Sequence, residues 1–493
     1  MHRLHFLTQL AAHPNPANVA ELLALGLVVV AACYLVSRID VSVILVAALV
    51  LQLFSGNWGL MGIPIPLDRV AFIVALVALA LKGARRVSRR KLVLRPLHVA
   101  LLGAATWCAV SGILAGTLVG HLGFFAYLDR FGIDPFLVFC LAPLFFGAPR
   151  QRKILLVGLI GIGLYLGWTG LMEGAHLYRF IFPRYIADPN VGIQFGRARG
   201  PILESTGDGF CTFTGAVAAA IGLHYWSSGW KRWVCYATMV LDVVTLFFTL
   251  TRSVWLGGFI AIVGVMLMAR RTRRMLVPLL LVGAVSLTAT LALAPHLRSR
   301  AVGRTESQSP VWDRQNTDLA ALRIIQEKPL TGVGWENFVN VSSNYMVQQP
   351  GYPITGVGIE VHNVFLSHAA ELGVPGLALW LLGFLGAVRR GLWARRLPDG
   401  SDPYADPRDA ELAVWRKGGL ALLLFFLVVA DLAPFSQALP NTLLWLWLGV
   451  LAAPYTSRFR ALPATVARVS AKAPLPTRVM VGAAPTPLRP ASL

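Results

Sequence analysis

The feature that most constrains this chain is its succession of apolar runs, at residues 19–36, 41–54, 69–83, 97–118, 134–148, 153–171, 209–226, 234–250, 253–269, 275–294, 363–388, 419–433 and 440–453. A lipid core leaves backbone polar groups no partner but one another, so a spanning segment is an α-helix of about 20 residues or a strand of a closed barrel. Barrel strands alternate polar and apolar residues. These runs are apolar on every side, which excludes a barrel and predicts an all-α polytopic membrane protein. The chain is 56% hydrophobic and only 14% charged, too little polar surface for a soluble domain of 493 residues. Trp168, Trp226, Trp233 and Trp445 fall near run ends, where amphipathic rings suit the headgroup zone.

A net charge of +21 raises the question of nucleic acid, and the placement of the charge answers it. Twenty-nine of the 44 Lys and Arg fall within 82–95, 150–153, 231–232, 270–274, 389–417 and the tail after Pro454, which is every second loop. That is the bias of cytoplasmic loops, and no aromatic-interleaved basic groove accompanies it. Counting back from a cytoplasmic tail gives twelve crossings from residue 41 onward. Residues 19–36 are then either a thirteenth span or one broken unit with 41–54. The start of the chain lacks a charged region leading to a cleavable core, so insertion through the first span is expected. The expected organisation is an N-terminal set of spans over 1–294 with an outward loop at 172–208, a large outward loop at 295–362, C-terminal spans over 363–453, and a disordered tail at 454–493. The five cysteines sit in or beside apolar runs and offer no disulfide framework.

The large loop is partly helical. In "DRQNTDLAALRIIQEKPLTG", residues 313–332, Leu319, Leu322 and Ile325 recur at helical spacing and Pro329 ends the pattern. This predicts an amphipathic helix lying at the outer interface.

Several arginines stand on the outer side, against the general bias. Arg252 lies between two apolar runs with almost no polar loop around it, where a guanidinium is costly unless an anion or a paired acid offsets it. Arg197 and Arg199 precede the run that starts near Gly209. Guanidinium forks grip phosphate oxygens in pairs, so arginines converging here would hold a diphosphate. The competing reading pairs Arg197 or Arg199 with Glu204 or Asp208. His362 precedes Asn363, a favourable N-cap for the following helix. The positive end of that helix favours a neutral ring, which can accept a proton as a general base. Equally, His362 could only order the loop. His368 is expected to pack or hydrogen-bond. No His/Asp/Glu cluster with metal spacing stands in the outer loops, so no metal or cofactor is expected.

Four segments together resemble the O-antigen ligase family: "RARG" at 197–200, "TRSVWLGG" at 251–258, "EKPLTGVGWENF" at 327–338 and "HNVFLSHAAELGVPG" at 362–376. The resemblance implies a metal-independent GT-C type glycosyltransferase of a bacterial inner membrane with its active site facing the periplasm. It would join undecaprenyl-diphosphate-linked O-antigen to lipid A–core oligosaccharide, with inversion at the anomeric carbon. Carried over by motif, Arg197 and Arg252 would bind the donor diphosphate, with Arg199, extra to the motif's register, as a further candidate, and His362 would act with Arg252 in catalysis. Asn363, Trp335 and Glu204 would support them. A basic surface of Arg298, Arg300, Arg304 and Arg314, with Arg323, would suit a phosphorylated acceptor. An O-antigen polymerase or a protein O-oligosaccharyltransferase would use the same donor. A transporter of the lipid-linked glycan fits less well, because its polar groups would lie at mid-membrane.

Overall fold

The computed structural model describes residues 38–84, 90–119, 121–268, 270–293, 298–299, 302–303, 309–348, 351, 353–354, 356–393, 409 and 411–459. The run at 19–36 and the tail from 460 lie outside the described residues. Contacts divide the chain into residues 1–458 and residues 459–493, and every described helix belongs to the first of these units.

The described residues are mostly helical. The first helices are α1 (Val41–Gln52), α2 (Leu67–Ala84), α3 (Pro96–Leu114), α4 (His121–Ala126) and α5 (Asp134–Phe145). They are followed by α6 (Pro149–Gly174), α7 (Ser205–Tyr225), α8 (Trp230–Phe248), α9 (Arg252–Met268) and α10 (Arg270–Leu293). After these come α11 (Ser309–Glu327), the short α12 (Phe338–Val341), α13 (Val364–Val388), α14 (Leu412–Leu432) and α15 (Ala438–Thr456). Each apolar run from residue 41 onward is a helix. Several helices begin before their runs, because the first turn is built from capping residues. In α7 the Glu204 carboxylate accepts from the N–H groups of Thr206 and Gly207, at 2.7 and 2.6 Å, and so starts the helix at Ser205.

Helices pair by close approach. Along α6, Gly163, Gly167, Gly170 and Gly174 form one stripe, and a Cβ on Gly170 would lie 2.2 Å from Thr245 of α8. Removing side chains from that stripe lets the backbones meet, which is how helices associate where lipid offers no hydrophobic drive. The α5–α15, α3–α13 and α9–α14 pairs complete the bundle. Its centre is aromatic: Trp445 meets Phe136 edge-on at 4.9 Å, and Trp380 stacks on Phe384 at 5.0 Å. Trp445 is therefore a core residue, 1% exposed, and not the headgroup anchor its position near a run end suggested. Trp168 and Trp233 are exposed.

Four described helices, Pro96–Leu114, Pro149–Gly174, Val364–Trp393 and Leu412–Leu432, have the length and apolarity to cross a membrane, and Val41–Gln52 and Arg252–Met268 are shorter apolar helices. The chain is a helical membrane protein.

The bundle has two polar ends. At one, where α6 and α14 begin and α7 finishes, Arg90 pairs with Asp409 at 2.6 Å, Arg152 pairs with Glu411, and the Tyr225 hydroxyl donates to Glu411. At the other, where α13 begins and α14 finishes, Asn363 donates to Asp431 at 2.8 Å. Helix α11 lies at this second end against α13. Its buried face is Thr317, Ala320, Ala321 and Ile324, while Leu322 is 42% exposed. The predicted stripe of Leu319, Leu322 and Ile325 is thus turned partly away, because α11 approaches α13 closely and alanines fit that contact.

Candidate functional site

The start of α13 and the segment before it carry the site. Helix α13 breaks at Gly373, whose φ of 70° and ψ of 175° are non-helical, with Pro375 just beyond. The break frees backbone groups, and the 329–338 segment takes them up. Val333 N–H donates to the Ala370 carbonyl at 2.9 Å, Gly334 N–H to that of Glu371 at 2.9 Å, and Val374 N–H to that of Pro329 at 2.8 Å. The Glu371 carboxylate, in a residue 7% exposed, accepts from the N–H groups of Glu336 at 3.1 Å and Phe338 at 3.3 Å. Gly332 is required here: its φ is +63°, and a Cβ would lie 2.4 Å from the Glu371 carbonyl oxygen. The P-x-x-G-x-G stretch and the E-x-G element are two halves of one joint.

A basic row flanks this joint. Arg252 opens α9 and is half-buried. The turn before it is tied to α7 by the Ser205 and Thr251 hydroxyls, 2.8 Å apart, and to "RARG" by Ala198 N–H donating to the Phe248 carbonyl at 2.9 Å. Arg197 is thereby carried to the same turn, half-buried. Arg314, on α11, is held below the usual arginine range by burial and then by the nearby charge of Arg252. Arg314 in turn acts on His362. Burial first, and Arg314 second, lower the His362 ring from its ordinary 6.5 to about 4, against the opposing pull of Asp313. The ring is neutral across the physiological range, and its Nδ1 is buried without a hydrogen-bond partner. Asn363 caps α13 by accepting from Phe365 and Leu366 N–H, each at 3.0 Å. Asp318, near Arg314, is raised to about 6 by burial and by Asp431.

The arrangement brings Arg252, Arg314, His362 and Asn363 together. A cationic pair beside a neutral imidazole can hold an anion and receive a proton within one neighbourhood. Arg199 requires a correction. Its side chain is fully buried and donates to the backbone carbonyls of Val191 (2.6 Å), Ile193 (3.2 Å), Ile186 (3.1 Å) and Asp188 (2.8 Å). It clamps the 172–208 loop, with its guanidinium committed to protein oxygens and paired with neither Glu204 nor Asp208. Glu204 is the N-cap of α7, and burial raises its carboxyl above the ordinary range. Arg298 is exposed. Arg300 and Arg304 lie outside the described residues. Arg323 donates to the Tyr345 carbonyl at 2.7 Å.

Trp335 is 5% exposed and packs on Phe131 at 5.1 Å. His368 packs between Phe131 and Trp380, at 5.0 and 5.2 Å. Trp335 and His368 both line a cavity of about 70 Å³, partly open to solvent, whose other polar walls include Arg130, Glu336, Glu360 and Glu371. Arg252 and Arg197 are not among its lining residues. Sequence reasoning missed these carboxylates, although Glu371 stands inside a quoted motif. An acid seven residues into an apolar helix signals a need that only the helix break explains.

No curated protein matches the chain. Residues 237–381 match the family model described as O-antigen ligase. The matched segment holds Arg252, Arg314, Trp335, His362, Asn363 and Glu371, whereas Arg197, Arg199 and Glu204 lie before it. Residues 237–381 are thus similar to the O-antigen ligase family, and the likeness extends over that segment alone.

Proposed function

We propose that the protein is an O-antigen ligase of the bacterial inner membrane, transferring undecaprenyl-diphosphate-linked O-antigen to a sugar hydroxyl of lipid A–core at the periplasmic face. The observation that carries this reading is the succession Arg252, Arg314, His362 beside a capped helix start, within the segment that matches the family. Arg252 and Arg314, with Arg197 near the same turn, hold the donor diphosphate. The acceptor hydroxyl oxygen attacks the anomeric carbon as its proton passes to the neutral His362 ring. The bond from that carbon to the diphosphate oxygen breaks, the pair of electrons stays with the diphosphate, and the configuration inverts. The arginines carry the leaving charge, so the reaction proceeds in this reading without a divalent ion. A GT-C type bundle with twelve crossings and the His362 end facing the periplasm accommodates these roles.

The acceptor rests on the family match. Of the basic residues expected to face it, Arg314 feels the charge of Arg252 and Arg323 is taken by a carbonyl. A polymerase would use the same donor site with another lipid-linked glycan as acceptor. The test expresses Arg252→Ala and His362→Ala in cells lacking their own ligase and resolves the lipopolysaccharide on a gel. Both variants should lose the ladder at normal membrane levels; full ladders from both would overturn the mechanism. Chain growth by purified protein without lipid A–core would favour the polymerase.

A further inference from the structure

The cavity walled in part by Glu360, Val361 and Val364 has a chemistry opposite to that of the basic row. Glu336, Glu360 and Glu371 face it against a single guanidinium, Arg130, which Glu336 already pairs at 3.3 Å. Its one guanidinium is engaged by a carboxylate, so the lining offers a diphosphate no ready cation. Its apolar walls are aromatic, with Trp335, Trp380 and Phe435 among them. Two ring nitrogens of lining residues, Trp335 Nε1 and His368 Nδ1, are buried and have no hydrogen-bond partner. Buried donors and acceptors in proteins are nearly always satisfied, so orphaned ones around a cavity call for a polar occupant. Glu336 adds a further sign. It is a non-glycine residue at φ 57°, its N–H held by the Glu371 carboxylate. Backbone strain of this kind persists where surrounding structure fixes a side chain for use.

We propose that this cavity is a carbohydrate subsite that takes one pyranose ring of the substrates. Aromatic faces pack against the C–H face of the ring, and the Glu336 and Glu360 carboxylates accept from neighbouring hydroxyls. Trp335 Nε1 donates to a ring or hydroxyl oxygen, and His368 Nδ1 accepts or donates to another. Glu360, Val361 and Val364 line the cavity, so the segment that carries His362 is part of its wall. A sugar held there lies against the segment that carries His362, while the diphosphate stays with the arginines. The inference rests on the glycosyltransferase reading for the identity of the sugar, which belongs to the acceptor core or to the donor glycan.

The test titrates purified protein in nanodiscs with two lipid-free saccharides, core oligosaccharide and O-antigen repeat oligosaccharide, by calorimetry. Wild type is compared with Glu336→Gln and with Ser367→Phe, which fills the cavity from α13. One saccharide should bind wild type, and Glu336→Gln should weaken it about tenfold. In transfer assays the KM for the substrate carrying that saccharide should rise while kcat and the KM for the other substrate hold. Core binding assigns the acceptor; repeat-unit binding assigns the donor. Absence of binding by both saccharides, or an unchanged Kd and KM in a folded Glu336→Gln, overturns the subsite. If the subsite variants are silent while Arg252→Ala abolishes transfer, the subsite falls and the ligase reading stands. If a saccharide binds but no donor is ever transferred, the subsite stands and the ligase reading falls.

Discussion

The two polar ends of the bundle use the same residue types to opposite purposes. At the Arg152 end each buried guanidinium meets carboxylates of the 409–411 segment: Arg90 with Asp409, Arg152 with Glu411 and with Asp409 at 3.6 Å. Arg90 and Arg152 are 4% and 0% exposed. At the His362 end Arg314 is half-buried, and burial first and the charge of Arg252 second disfavour its guanidinium, against the pull of Asp318. A matched cluster is closed and holds helices in place. Like charges kept together in a partly buried place cost stability, and such cost persists where a ligand repays it. Direct guanidinium–carboxylate pairs mark the structural end, and a like charge acting on Arg314 marks the candidate site.

The sharpest way to break the comparison is to open the matched end. Arg152→Ala leaves Glu411 without its cation while Asp409 keeps Arg90, and removal of one partner of a buried ion pair costs about 3–5 kcal/mol. The expected result is a lower melting temperature in detergent, or loss of folded protein, with normal specific activity in whatever remains folded. The Arg152→Met, Glu411→Met double variant should recover most of the loss. If Arg152→Ala instead melts like wild type and transfers slowly, the matched end is not merely structural.

The opposite substitution probes the other end. Arg314→Gln removes one of two like charges, so folding should hold or improve while transfer falls about 100-fold, the loss usual for one group that stabilises a leaving anion. Melting temperature and kcat/KM measured on the same preparation decide it. A stability loss as large as that of Arg152→Ala would mean that Arg314 has a structural partner, and the contrast between the ends would fail.

The particular residues show how far the sequence could be read. The helices were legible because a lipid-facing chain leaves long apolar runs; missed were first turns, where Glu204 or Pro149 starts a helix with polar or turn residues, and the short α4, which lies in no run. Asn363 was legible as a cap, because a local cap is written in adjacent residues. Arg199 was not, since its partners are backbone carbonyls that a sequence does not distinguish. The face of α11 was misread because Ala320 and Ala321 bury more completely than the larger Leu322. Glu371 was invisible as a site residue until Gly373 was seen to break its helix. Long-range fit, not local pattern, decided each of these.

The finest distinction between the two ends concerns protons. His362 is held at about 4 in the folded chain, below its ordinary 6.5. Between those values the unfolded chain takes up a proton that the folded chain refuses, so stability is full above about pH 6.5 and declines as pH falls toward 4. In His362→Gln this part of the acid sensitivity should disappear. Catalysis gives the complementary reading. A diphosphate settling on Arg252 and Arg314 offsets the charge that lowers the ring, so bound donor should raise the His362 value back toward 6.5. The profile of kcat/KM reports the free enzyme and that of kcat the loaded one. The acid limb of kcat should therefore lie at higher pH than that of kcat/KM, a difference of less than about tenfold in rate at pH 5. Coincident limbs, or a limb that survives in His362→Gln, would show that the arginines and the imidazole do not share one anion, and that the like charges of this end serve something other than the donor.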